Sequence, residues 1–261
     1  MIVELDGLRS IVTQRGHGPD TVVLLASMLI RPRSYSRLVQ RLSQSCRVIT
    51  IEPPGCGRAS KIDPPWRFEQ YADHLCRLLD KLDLTDVTLI GHSNSAAVTM
   101  LAAGGGHAAS ARIGRIVLAD SVGGDPRHSF WRIGLGRLLD GPYEAAFSIT
   151  ALYDITWNLL VHNSNFLAEI EQAIAWDAAP HAPRVRVPTL IAWGGMDFTF
   201  RPWCGRRLQR IIPNSQFYVS DVGSHDWLTT LPDEFATVVE RFIAGRGSYH
   251  LPPAEGSIKG T

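Results

Sequence analysis

A serine set among small residues, Gly91-His92-Ser93-Asn94-Ser95, is where this chain could do covalent chemistry. A lone serine hydroxyl is a weak nucleophile at neutral pH. It needs a base to take its proton and an acid to orient that base. Nine histidines are available. His17, His107 and His250 sit in Gly-rich or tail contexts, and His74 reads as lying on the polar face of a helix. His225 differs. It lies in Asp221-Val222-Gly223-Ser224-His225-Asp226, just past the last strand-like run and downstream of the serine. Two acids close apolar runs: Asp197 ends Leu190-Ile191-Ala192-Trp193-Gly194-Gly195-Met196-Asp197, and Asp120 ends Ile116-Val117-Leu118-Ala119-Asp120. The chain order serine, acid, histidine fits a nucleophile, an orienting acid and a base. Asp197 is the preferred acid and Asp120 the alternative.

These residues need elements to hold them. Val87-Thr88-Leu89-Ile90 reads as a strand running through the Ser93 turn into an Ala-rich helix, Ala96 to Ala103, stopped by Gly104-Gly105-Gly106. A strand–turn–helix elbow of this kind requires small neighbours and aims helix N–H groups at the serine. Further strands are expected at Ile2–Leu5, Arg9–Val12, Thr21–Leu25, Arg47–Ile51, Arg115–Ala119, Thr189–Trp193 and Ser215–Ser220. Helices are expected at Tyr35–Ser43, Phe68–Leu82, Pro202–Ile212 and Pro232–Ala244. Phe68, Tyr71, Leu75, Leu78, Leu79 and Leu82 form one apolar stripe at three- and four-residue steps. Alternation of strand and helix predicts an α/β fold with acids and base at the carboxyl edge of a parallel sheet. It lapses over residues 125–183, which read as an inserted helical segment, and residues 246–261 form a polar, loose tail.

The chain has 261 residues, 45% hydrophobic and 20% charged, with a net charge of +1. That suits one large globular domain and gives no broad electrostatic attraction to nucleic acid. Cys46, Cys56, Cys76 and Cys204 form no CxxC pair and read as reduced thiols. The start Met1-Ile2-Val3-Glu4-Leu5 lacks a signal-peptide pattern, and no apolar run is long enough to span a bilayer. A cytoplasmic protein is expected.

Four stretches together resemble the α/β-hydrolase-fold serine hydrolases over roughly residues 1–245. Glu52-Pro53-Pro54-Gly55-Cys56-Gly57-Arg58-Ala59-Ser60 resembles the family's Gly-rich loop after its strand. Gly91-His92-Ser93-Asn94-Ser95 resembles its G-H-S-x-G elbow, with Ser95 in place of the second glycine. Trp193-Gly194-Gly195-Met196-Asp197 resembles its acid turn, and Gly223-Ser224-His225 its base loop. The resemblance implies a mostly parallel eight-stranded sheet flanked by helices. Residues 1–124 and 184–245 would form the core and 125–183 a short helical cap. It also implies a Ser93–Asp197–His225 triad, an oxyanion site at the backbone N–H groups of Met28 and Asn94, and no metal or organic cofactor. The usual His-Gly of the oxyanion loop is replaced by Leu24-Leu25-Ala26-Ser27-Met28. Ser27 could add a hydroxyl donor. Candidates for the substrate pocket are Ser27, Arg31, His92, Trp131, Phe147, Trp157 and Phe166. Arg31, in Arg31-Pro32-Arg33, reads either as an anion clamp or as part of a solvated arginine pair. The implied reaction is cleavage of a small, largely apolar ester, lactone or thioester through an acyl-enzyme. The alternatives are cyclisation, acyl transfer or C–C cleavage on the same fold, or a ligand-binding member with little turnover.

Overall fold

The computed structural model describes residues 1–27, 29–125, 129–144 and 148–245. Met28, Phe147 and the 246–261 tail therefore lie outside the described residues. Eight strands form one sheet in the order β1-β2-β4-β3-β5-β6-β7-β8. β1 (Ile2–Leu5) and β2 (Leu8–Arg15) make a hairpin turned at Asp6-Gly7, both at positive φ. β2 runs antiparallel to β4 (Cys46–Glu52). From β4 onward the pairing is parallel through β3 (Asp20–Leu25), β5 (Val87–His92), β6 (Ile113–Ala119), β7 (Thr189–Gly194) and β8 (Ser215–Ser220).

The parallel strands are apolar on both faces because helices cover both. Val23, Leu89, Ile116 and Ile191 pack on one side with α2 (Phe68–Lys81), α3 (Ser95–Ala103) and α7 (Pro202–Ile211). Val22, Leu24, Ile90 and Val117 pack on the other with α1 (Ser36–Leu42) and α9 (Pro232–Ile243). The α2 stripe of Phe68, Tyr71, Leu75, Leu78 and Leu79 is buried as its spacing predicts. Between β6 and β7 the chain forms α4 (Phe130–Asp140), α5 (Ser148–Val161) and α6 (Asn163–Ala175).

Three local expectations need correction. His74 is not on a polar surface. The β1–β2 hairpin packs over α2, and His74 is buried with Nε2 2.8 Å from Ser10 Oγ. The helix expected at Tyr35–Ser43 is found one residue shorter at each end, as α1, with Tyr35 closing a 3₁₀ turn over Pro32–Tyr35. A one-turn helix, α8 (Trp227–Thr230), follows His225 and was not expected. Its Trp227 is fully buried, and its indole N–H reaches back to the sheet edge. All four cysteines are buried and free.

Candidate active site

The carboxyl ends of β3, β5, β6, β7 and β8 converge, and each delivers one polar residue to the same place. Ser93 follows β5 directly with φ +56°, a left-handed conformation that costs a non-glycine residue energy. Its N–H donates to Ala119 O at 2.9 Å, which pins the elbow to β6. Gly91 must be small: a Cβ there would run into Thr99 Oγ1, the Ser95 carbonyl and Ala96. Ser95 stands where glycine is usual, and its side chain is used rather than merely tolerated. Its hydroxyl accepts from His92 N–H at 2.9 Å, and its one proton is shared between the Leu25 and His92 carbonyl oxygens, each 2.9 Å from Oγ. The elbow is thereby stitched to β3.

His225, after β8, has Nε2 3.1 Å from Ser93 Oγ and Nδ1 3.0 Å from Asp197 Oδ2. Asp197 is fully buried, and its Oδ1 accepts from Phe200 N–H at 2.7 Å. Asp120 does not touch the histidine in this arrangement. It accepts from Gly194 N–H and from the Trp227 indole N–H, each at 2.8 Å, and its carboxylate lies within 4.8 Å of Asp197's. Burial raises both carboxyls above the ordinary range, and Asp197's charge raises Asp120 as well.

Burial, then the Arg137 guanidinium, lowers His225 to about 4, so its imidazole is neutral at neutral pH. Asp120, Asp197 and His225 are also the one group among the described residues whose donor atoms could meet at a cation, within 4.8 Å of one another. Their oxygens and ring nitrogen are already engaged by N–H groups and by each other.

His92 belongs to a second buried chain. Ser27 N–H donates to Tyr35 OH at 2.9 Å, and Tyr35 OH lies 2.7 Å from His92 Nδ1. His92 Nε2 lies 3.0 Å from the His225 carbonyl. Only one proton arrangement satisfies every member: Tyr35 donates to Nδ1, and Nε2–H donates to the carbonyl. Burial lowers His92 to about 4, consistent with this neutral tautomer. The chain couples the loop after β3 to the loop carrying His225. Ser27 Oγ donates to Asn94 Oδ1 at 3.1 Å, so that hydroxyl is spent on joining this loop to the elbow.

Above Ser93 lies a cavity of about 360 Å³ lined mainly by aliphatic residues, among them Ile30, Val122, Ile133, Ile155 and Ile170. Ser27 and His92 line it. The other described pocket candidates do not. Trp131 is 82% exposed and points away. Trp157 donates its indole N–H to Gly57 O at 2.8 Å, and Phe166 is buried outside the lining. Arg31 is neither solvated nor facing the cavity. It is buried against Glu52, with Nη2 3.0 Å from Oε1.

Sequence reading missed Arg137, on α4, which does line the cavity and pairs with Asp226 at 2.7 Å and Glu144 at 2.8 Å. Burial and the Asp226 charge raise Glu144 to about 8. Asp226 is held low by Arg137 and the two nearby histidines against the cost of its burial. Asp226's place beside His225 was the only available signal for this cluster.

Residues 12–238 match the Alpha/beta hydrolase family. The chain belongs to that family. Among its relatives is a poly(3-hydroxyalkanoate) depolymerase of Ectopseudomonas oleovorans, 25% identical over 240 residues, covering 84% of this chain and 83% of the relative. An enol-lactonase from Burkholderia xenovorans LB400 superposes with a TM-score of 0.76 at 22% identity, covering 94% of this chain and all of that one. A bromoperoxidase from Bacillus anthracis superposes with a TM-score of 0.74 at 22% identity, covering 91% and 96%. Those two names describe different reactions, so the likeness carries the alpha/beta hydrolase fold and not a substrate. No helix among the described residues of this alpha/beta hydrolase is long and apolar enough to cross a membrane.

Proposed function

We propose that the protein is a serine hydrolase that cleaves a small, largely apolar ester, lactone or thioester. The observation that carries this is the contact chain Ser93 Oγ–His225–Asp197 at 3.1 and 3.0 Å beneath an aliphatic cavity. Ser93 attacks the substrate carbonyl while neutral His225 takes its proton. His225 then returns that proton to the leaving group, and Asp197 stabilises the imidazolium formed in between. The acyl-enzyme at Ser93 is released by water, with His225 again as base. The N–H groups of Asn94 and Met28 hold the oxyanion, a role in which one donor contributes roughly 10²–10³ in rate. Asp120, held beside Asp197 by Gly194 N–H and the Trp227 indole N–H, does not act as the triad acid.

In this reading residues 1–124 and 184–245 are the hydrolase core and 125–183 the cap that makes the pocket apolar. The test is steady-state turnover of a panel of short-chain esters, lactones and thioesters, with product analysis, for the native protein and Ser93→Ala. Formation of the free acid by the native protein alone supports the reading. Turnover that survives Ser93→Ala, or products other than the acid, refutes it.

A further inference from the structure

Asp197 and His225 sit on loops, and both loops are gripped by the same turn of α4. The acid loop is residues 197–200. Asp140, the last residue of α4, accepts there from Phe198 N–H at 2.9 Å, from Thr199 N–H at 3.1 Å and from Thr199 Oγ1 at 2.6 Å. The same loop closes on Asp197 through Phe200 N–H. The base loop carries His225 and Asp226. Arg137, one turn before Asp140, donates from Nη2 to Asp226 Oδ2 at 2.7 Å and to Glu144 Oε2 at 2.8 Å. Glu144 closes the ring by accepting from Asp226 N–H at 3.0 Å. Asp140, Glu144 and Asp226 are all buried.

Gly136 is a separate sign of the same contact. A Cβ there would run into the Phe198 carbonyl and Thr199 Cα, so α4 lies as near the acid loop as it does only because this position is glycine. Glycine is otherwise disfavoured inside a helix. Arg137 also lines the cavity. Its Nη2 is nonetheless spent on two buried carboxyl groups, which leaves the cluster no surplus positive charge to offer a substrate anion. It holds a loop.

We infer that this turn of α4 is a positioning site for the triad. Arg137 fixes the base loop and Asp140 the acid loop on one helix. The spacing of the two loops, and with it the 3.0 Å contact of His225 with Asp197, is set from the cavity side as well as from the sheet. The inference rests on the hydrolase reading of Ser93 and adds to it residues that act through His225 and Asp197.

The groups that face His225 are Asp197 on the acid loop, His92 from β5, Asp226 on its own loop, and Arg137 and Asp140 from α4. The test compares Arg137→Met, Arg137→Lys and Gly136→Ala with Asp154→Asn, whose bonds run to the loop after β3 instead. kcat and KM on p-nitrophenyl butyrate are measured against pH. The His225 ring is titrated by NMR, with His225→Gln to assign it. Arg137→Met frees the base loop, and its kcat should fall about 10–100-fold with KM within about threefold. It also removes a cation that favours the neutral imidazole, so the acid limb and the ring titration should both move up by about one pH unit. Arg137→Lys keeps the charge but not the two-sided bridge, so its limb should stay within about half a unit of native while kcat falls less. Gly136→Ala removes no bond partner and no charge, yet should lower kcat about tenfold by pushing α4 off the acid loop. Asp154→Asn should lower Tm and leave the limb in place. An Arg137→Met protein that loses only Tm, with native kcat and limb, overturns the inference. If that variant does not fold, native kcat in both Arg137→Lys and Gly136→Ala overturns it. A native protein that neither hydrolyses the ester nor takes a fluorophosphonate refutes the hydrolase reading. The ring titration then decides the positioning site alone: moved up in Arg137→Met it stands, and unmoved it falls.

Discussion

The sheet edge and the segment that covers it spend their polar residues in opposite ways. At the edge, apolar strands fill both faces and one polar residue emerges at each strand end: Ser93, Asp120, Asp197 and His225. In the covering segment Asp140, Asp154, Asn158 and Asn165 face inward and grip backbone loops of the core, and Glu169 accepts from the Tyr71 hydroxyl of α2, while leucines face water. The first arrangement fixes chemistry through backbone register. The second fixes a roof through hydrogen bonds that a helix must carry on its inner side. A buried, satisfied polar contact contributes only about 1 kcal/mol net, but leaving its partner unpaired costs more. The roof therefore depends on having every latch made.

If the edge alone performs the reaction, its two acids should separate most widely. Asp197→Asn leaves the His225 ring with an amide partner and the wrong tautomer, and kcat should fall by ~10⁴. Asp120→Asn keeps an acceptor and a donor but strands either the Trp227 indole N–H or Gly194 N–H. Its kcat should stay within about tenfold, with stability lower by ~1–3 kcal/mol. Rates measured on folded variants check this. Equal losses, or the larger loss at Asp120, would assign the triad acid to Asp120.

The edge also sets the pH dependence. The base must be neutral to act, and burial with Arg137 lowers His225 to about 4. A lowered pKa keeps the imidazole neutral further into acid. The acid limb of kcat/KM should therefore fall near pH 4 rather than near the ordinary histidine value of ~6.5. A limb at or above 6.5 would place a stronger negative field on His225 than this geometry holds.

Asp154→Asn tests the roof. It weakens three bonds to the loop after β3 but leaves the triad untouched. Stability should drop by ~1–3 kcal/mol, or roughly 3–10 °C in Tm, because Arg33 is partly in water and offsets little. KM for dissolved esters should rise more than kcat falls. A kcat loss approaching that of Asp197→Asn would merge the two regions into one catalytic unit.

The smallest effect is expected at Ser95→Gly. It restores the small residue the elbow allows but removes the hydroxyl that joins β3, His92 and the turn. A cost of about 1 kcal/mol, with activity within a few-fold, is expected from thermal unfolding and initial rates.

The same contrast explains what the sequence makes legible. Strand runs such as Leu89-Ile90 and Ile116–Leu118 carry their apolar character in consecutive residues, and the chemistry-bearing residues sit immediately after them. The sheet, and the residues that meet at its carboxyl edge, could be read from that register. The covering segment could be recognised as helical but not oriented. Trp131 faces outward and Trp157 is turned onto the Gly57 carbonyl, so an aromatic residue type alone does not mark the lining, which is mainly aliphatic with Phe130 and Phe200. Arg31 and His74 were misplaced for a related reason. Their partners, Glu52 on β4 and Ser10 on β2, are remote in sequence, and no local pattern names a partner 21 or 64 residues away.

Central to the account is an activated Ser93. The most direct measurement is labelling with a fluorophosphonate, read by intact mass and peptide mapping, with Ser93→Ala beside it. The account predicts one adduct per chain, mapped to Ser93 and absent from the variant. A folded protein that takes no label, or that takes it elsewhere and keeps it in the variant, would contradict it.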